Sequence, residues 1–214
     1  MDTAPVGTTS DVASFEPEMT LRTRKRHERR DRVFEAAVTL MVEKGFDDTS
    51  MNDVATRSGL ARTTVFNHFP RKMAFLDEWA LRRRERAASS FPDDPRDPEA
   101  RRPLREVLGS YLAALAELNV ETRRETAALM PARLRHTDWL VTHPLERDLA
   151  EMVIESGVEL RHHAGPSQIA RMLALGYFSA VMRWIDLEPA PFDLALELSD
   201  LLETVLTGAL APGE

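Results

Sequence analysis

Apolar residues recur at helical spacing along most of the chain, and no segment alternates as a strand would. A first long helix is predicted from about Arg24–Glu28 to Lys44, with Val33, Phe34, Ala37, Leu40 and Met41 on one face. Gly45 ends it and Phe46 folds back onto the core. Two short helices are expected next, at about 50–57 and 61–68. Ser50 or Thr49 caps the first, with Asp53 three residues after Ser50 as its capping-box partner, and Val54 and Ala55 face inward. Gly59 turns the chain sharply, Leu60 plugs the corner, and Val65 and Phe69 give the second short helix its buried edge. A fourth helix, about 71–89, starts behind Pro70 and carries Phe75, Leu76 and Trp79.

Pro92, Pro95, Pro98 and Pro103 then fall within 12 residues, too dense for any continuous helix. Beyond them, helices are predicted at about 102–119, 122–136, 138–160, 167–187 and 192–210, with Pro131 expected to kink or divide the second. The expected fold class is all-α. Residues 1–22 read as a disordered acidic and polar tail, 23–70 as a helix-turn-helix domain, 71–89 as a linking helix and 100–211 as a helical body.

The last two predicted helices are apolar over most of their circumference. Ile169, Leu173, Tyr177, Val181 and Trp184 mark the first; Leu198, Leu201, Leu202 and Val205 mark the second. A helix that is apolar on more than one face packs on more than one side. Two readings stand at this point: both helices are central core, or part of each is a subunit interface.

Net charge is −7, yet its distribution is uneven. Residues 20–72 carry 12 Lys and Arg against 7 Asp and Glu, whereas residues 73–214 carry 16 against 24. A basic module on an acidic body suits a protein that meets phosphate at one end only. The chain has no cysteine, which excludes disulfides, thiolate metal sites and a cysteine nucleophile and fits a reducing, cytoplasmic setting. No apolar run approaches the roughly 20 residues a membrane span requires.

The outward positions of the second short helix are Arg62, Thr63, Thr64, Asn67 and His68, all hydrogen-bonding types. A short helix with one apolar edge and a polar, partly cationic tip is what reading a major groove requires. The stretch VFEAAVTLMVEKGFDDTSMNDVA, the SGLARTTVFNHFPRK core and the helix after it resemble the DNA-binding domain of the tetracycline-repressor (TetR) family of one-component bacterial regulators. The resemblance covers about Asp31 to Leu76, roughly a quarter of the chain, and the remainder matches only as a helical region of suitable length.

The resemblance implies a homodimer on double-stranded operator DNA, regulating transcription, with a small-molecule effector bound in the C-terminal body. By position, it makes Arg62, Thr63, Asn67 and Asn52 base-contact candidates. Arg62 has the fork that fits a guanine edge, Thr63 a methyl for thymine, and Asn67 an amide for adenine or phosphate. Thr64, His68 and Lys72 become phosphate clamps, assisted by Ser50 or Thr49 at a helix N-terminus. Two positions depart from the family pattern: Ala61 stands where serine is common, and Phe66 where tyrosine is. The resemblance also favours the interface reading of the last two helices, with Trp184, Leu198, Leu201, Leu202 and Val205 as dimer candidates.

Leu21 to Arg32 holds seven Lys or Arg in 12 residues. This run is either a solvated helix face, a helix start leading toward phosphate, or a flexible arm for the minor groove. In the body, Trp139, His143 and Tyr177 are the first effector-binding candidates, and the aromatic and methionine content suits an apolar or aromatic ligand. His136, Arg133 and Arg183 are further polar candidates, and His162 and His163 read as surface residues. No HExxH, glycine-rich phosphate loop or GxSxG elbow is present, so neither an enzyme, a cofactor nor a metal is expected. The leading expectation is a repressor released from a palindromic operator by its small-molecule effector; the alternative is a helix-turn-helix DNA binder or activator without an effector.

Overall fold

The computed structural model describes residues 21–89, 102–138, 141 and 143–210, and the predicted tail and most of the proline-rich linker lie outside them. Among the described residues there are nine helices: α1 (Leu21–Lys44), α2 (Met51–Ser58), α3 (Arg62–His68), α4 (Met73–Ala88), α5 (Leu104–Glu121), α6 (Arg123–Arg135), α7 (Pro144–Ser156), α8 (Pro166–Ile185) and α9 (Leu194–Ala209). The only β pairing among the described residues is an isolated bridge between Leu160 and Leu210.

The head forms as its local signals require. Ser50 Oγ accepts from the Asp53 amide at 3.1 Å, and the Asp53 carboxylate accepts from the Ser50 amide at 2.9 Å. Gly59, at φ 65°, ends α2 in the left-handed region, where a side chain would be strained. Val54, Val65, Phe69 and Met41 are almost completely buried. Phe69 lies between Phe34 and Phe75, with ring centroids 6.4 Å and 4.4 Å away. Burying each such side chain contributes about 1.5–3 kcal/mol.

Two predicted boundaries need correction. Helix α1 starts at Leu21, so the basic run is helical and not a flexible arm. Among the described residues of the segment predicted as helix from 138 to 160, the helix runs from Pro144 to Ser156, with His143 capping it at one end and Gly157 stopping it at the other. Pro131 does not divide α6. The amide that Pro131 lacks would face the carbonyl of Ala127, an exposed residue.

Helix α4 belongs to both parts. Phe75 and Leu76 complete the core of the head, and Trp79, Arg83 and Ala87 are buried further along it. Helix α6 also reaches the head: Arg135 pairs with Asp47 at 3.0 Å, Arg133 lies 3.5 Å from Asp77, and the His136 and Phe46 rings are 5.7 Å apart. In the body, α5, α7, α8 and α9 enclose Leu108, Leu112, Leu149, Leu173, Val181 and Leu206. A Cβ at Gly176 of α8 would sit 2.5 Å from the Leu201 side chain of α9, so the bare glycine lets these helices meet closely.

Candidate nucleic-acid interface and effector cavity

The polar tip of α3 is presented to solvent. Arg62, Thr63 and Asn67 are exposed, as is Asn52 on α2, while Thr64, His68 and Phe66 are half-buried. The Arg62 guanidinium rests 5.3 Å from the centre of the Phe66 ring, which restricts it without using its donors. Ala61 supplies no side-chain cap to α3. Asp53 is held down to about 2, chiefly by its bond from Lys44, so the capping box is charged and Ser50 is fixed at the start of α2.

Two members of the expected phosphate set are engaged within the chain. Thr49 is buried, and its hydroxyl donates to the Gly45 carbonyl at 2.7 Å, so it shapes the turn and has no face left for DNA. Lys72 donates to the carbonyls of Phe46 and Asp47 at 2.7 and 3.0 Å and lies 4.3 Å from the Phe46 ring centre. Its ammonium thus closes the turn after α1, with one of its three donors to spare.

The fold adds two residues that the charge run did not single out. Arg22 and Arg26, one helical turn apart on α1, line a groove of about 430 Å³ with Thr23, Asn67 and His68. His68 is shifted below the usual histidine value by burial and then by Arg26, Arg30 and Arg29, so it is neutral and sits in a positive field. Arg30 is occupied within the fold. It donates to the His68 carbonyl at 3.0 Å and to Glu78 at 2.6 Å, tying α1 to α3 and α4.

A cavity of about 30 Å³, enough for a water molecule, lies between α4, α5, α6, α8 and the start of α7. Trp79, Leu115, Met130, Leu145, Tyr177 and Phe178 supply most of its wall, together with His143, Arg83, Arg84 and Arg133. His143 and Tyr177 are therefore at the cavity, and Trp139 falls outside the described residues. His143 Nδ1 accepts from the Leu145 amide at 3.1 Å, and burial pushes its pKa down to about 4. Tyr177 is held above the usual tyrosine range by burial and accepts from Asn119 Nδ2 at 3.0 Å. Of the other polar candidates, His136 and Arg183 are exposed, as are His162 and His163.

Arg83 and Arg84 were missed at the sequence level, although a signal exists. Leu76, Trp79, Arg83 and Ala87 follow one another at intervals of three or four, which places a cation in the apolar stripe of α4.

The candidate dimer residues divide differently from expectation. Trp184, Leu198, Leu202 and Val205 are buried within the single subunit, and Leu201 packs against Gly176. Their faces already meet their own chain. The large apolar residues that α8 and α9 leave exposed are Met172, Leu175 and Leu196.

A basic helix-turn-helix head carried on a larger helical body is the architecture of a one-component DNA-binding regulator. Residues 33–79 match the family model described as bacterial regulatory proteins, tetR family. The chain is 28% identical to FadR of Thermus thermophilus, a TetR-family transcriptional repressor solved with lauroyl-CoA, with TM-score 0.62 over 86% of this chain and 98% of that one. It also superimposes on SmeT, repressor of the Stenotrophomonas maltophilia multidrug efflux pump SmeDEF, at TM-score 0.64 and 20% identity over 86% and 91% of the two chains. A third similar structure is NalD of Pseudomonas aeruginosa, secondary repressor of the MexAB-OprM pump, at TM-score 0.58 and 20% identity over 88% and 99%. No curated protein sequence matches the chain at a significant level. Residues 33–79 thus form a DNA-binding domain of the tetR-family type, and the chain is a DNA-binding transcriptional regulator. Among the described residues, no helix is long and apolar enough to cross a membrane and no cluster of metal-ligating side chains occurs.

Proposed function

We propose that the protein is a homodimeric repressor that leaves a near-palindromic operator when a small molecule enters the cavity beside α4. The observation that carries this reading is the double membership of α4. Phe75 belongs to the head core through its contact with Phe69, and Trp79, Ala80, Arg83 and Arg84 form part of the cavity wall. A ligand larger than water must displace that wall, and displacement of α4 moves the head with it. Similar structures are those of a repressor solved with an acyl-CoA and of repressors of drug-efflux pumps, which supports both the repressor and the ligand.

In this reading Arg62, Thr63, Asn67 and Asn52 read bases, and Ser50, Thr64, His68, Arg22 and Arg26 meet phosphate. The exposed Met172, Leu175 and Leu196 form the apolar part of the subunit interface, so that two heads address half-sites related by the dimer twofold. Effector and DNA oppose each other by the same factor; a coupling of about 1–3 kcal/mol gives roughly 5–150-fold release. The test is a genome-wide footprint of the purified protein, followed by titration of a bound operator fragment with metabolites acted on by neighbouring gene products. A symmetric footprint that a ligand dissolves supports the reading. Binding without sequence preference at low salt overturns it.

A further inference from the structure

The cavity is apolar in most of its wall, yet three arginines enter it, and among the described residues that line it none is a carboxylate. Two of them have counter-charges behind the wall: Arg84 pairs with Asp148 at 2.5 Å, and Arg133 lies 3.5 Å from Asp77. Arg83 differs. It is 8% exposed, and its terminal nitrogens donate to neutral oxygens, Thr122 Oγ1 at 2.7 Å and Asn119 Oδ1 at 2.8 Å. In all three arginines Nε is buried and has no hydrogen-bond partner. A buried cation without a bonded counter-charge is costly, and three idle guanidinium donors around one small cavity raise that cost.

From this wall we infer that the effector is an organic carboxylate on an apolar or aromatic body, its head held by Arg83 with Arg84 and Arg133 beside it. The inference rests on the effector reading above and narrows the ligand's class. A guanidinium presents Nε and Nη2 as a side-on fork that fits a carboxylate, and in Arg83 one arm of that fork is idle while the other serves Asn119. A carboxylate that takes both arms competes with Asn119 for Arg83. Anion binding and loosening of α4 from α5 are then the same event. Tyr177 accepts from Asn119, so its hydroxyl proton is available as a further donor, and Trp79, Leu115, Met130 and Phe178 receive the apolar body. Methionine yields readily to an irregular shape, which suits a cavity that must enlarge on entry.

The test uses the full-length protein with benzoate and octanoate, their neutral amides benzamide and octanamide, and inorganic phosphate, read by calorimetry and thermal shift. At least one carboxylate is expected to bind about tenfold or more tightly than its amide, the difference a charged hydrogen bond makes. Arg83→Gln should abolish that preference, and Arg133→Gln should reduce it, which covers the case in which the first variant does not fold. Equal binding of acid and amide overturns the inference, as does a failure of every carboxylate to bind. Phosphate matching the better carboxylate overturns the apolar body. A neutral compound that releases DNA where no carboxylate does overturns the anion and leaves effector control standing.

Discussion

Arg83 on α4 donates through Nη2 to Asn119 Oδ1 on α5 at 2.8 Å, and through this bond the helix that carries the reading head is tied to the interior of the body. Asn119 is fully buried, and its Nδ2 donates both to the Leu115 carbonyl at 2.7 Å and to Tyr177 Oη at 3.0 Å. Thr126 of α6 donates to the same Oδ1 at 3.2 Å. One amide therefore joins α4, α5, α6 and α8.

Asn119→Ala should strip partners from Arg83, Thr126 and Tyr177 together. Each buried polar group left unsatisfied costs about 1–3 kcal/mol, so the chemical denaturation midpoint should fall clearly. Operator affinity of the ligand-free protein should fall, because the bond that the effector displaces is already gone, and the further release produced by effector should shrink. A variant of unchanged stability would remove Asn119 from this role.

Arg62→Ala should lower operator affinity by about 1–3 kcal/mol and relax preference at one base pair in each half-site. Arg62 is exposed and leans on Phe66, so its loss should leave the fold intact. Binding to a panel of single-base operator variants measures this, and uniform weakening across the panel would reassign Arg62 to phosphate.

Lys72→Met should affect both stability and binding, because the ammonium holds two carbonyls of the turn after α1. Hydrogen bonds to charged groups contribute about 1.5–3 kcal/mol, less where water reaches them, as it does here. The melting temperature should drop, and affinity should fall evenly over all operators. Loss confined to particular base pairs would contradict the placement.

Protonation of His143 should destabilise the body in mild acid. Burial depresses its folded pKa from 6.5 to about 4, so the unfolded chain takes up the proton first as pH falls. Stability from the neutral ring is complete above about pH 6.5 and is lost as pH drops toward about 4. His143→Asn keeps a side chain able to cap α7 and removes the titration. Its unfolding free energy should vary less across that window than that of the parent protein.

Leu175→Glu and Leu196→Glu should yield folded monomers, since both side chains are about half or more exposed on α8 and α9. Leu202→Glu should instead unfold the body, because that residue is buried in the subunit. Sedimentation and circular dichroism distinguish the two outcomes. A dimer that survives both surface changes would place the interface on another face.

The all-helical class, the capping box of Ser50 and Asp53, the turn at Gly59 and the buried edge of Val65 and Phe69 were legible in the sequence. They depend on residues within about one helical turn of each other, and backbone preference together with apolar spacing is enough to specify them. What Thr49 and Lys72 do was not legible in the same way, because a hydroxyl or ammonium looks free until the fold brings a carbonyl to it. The apolar positions of α8 and α9 cover more than one face, but their division between core and surface follows from how closely Gly176 lets α9 approach. Arg83 is the sharpest case. Spacing along α4 places a cation in the apolar stripe, whereas only the packing of α5, α6 and α8 around it decides that it meets neutral oxygens and a cavity in place of a carboxylate, since electrostatic partners come from elements far apart in the chain.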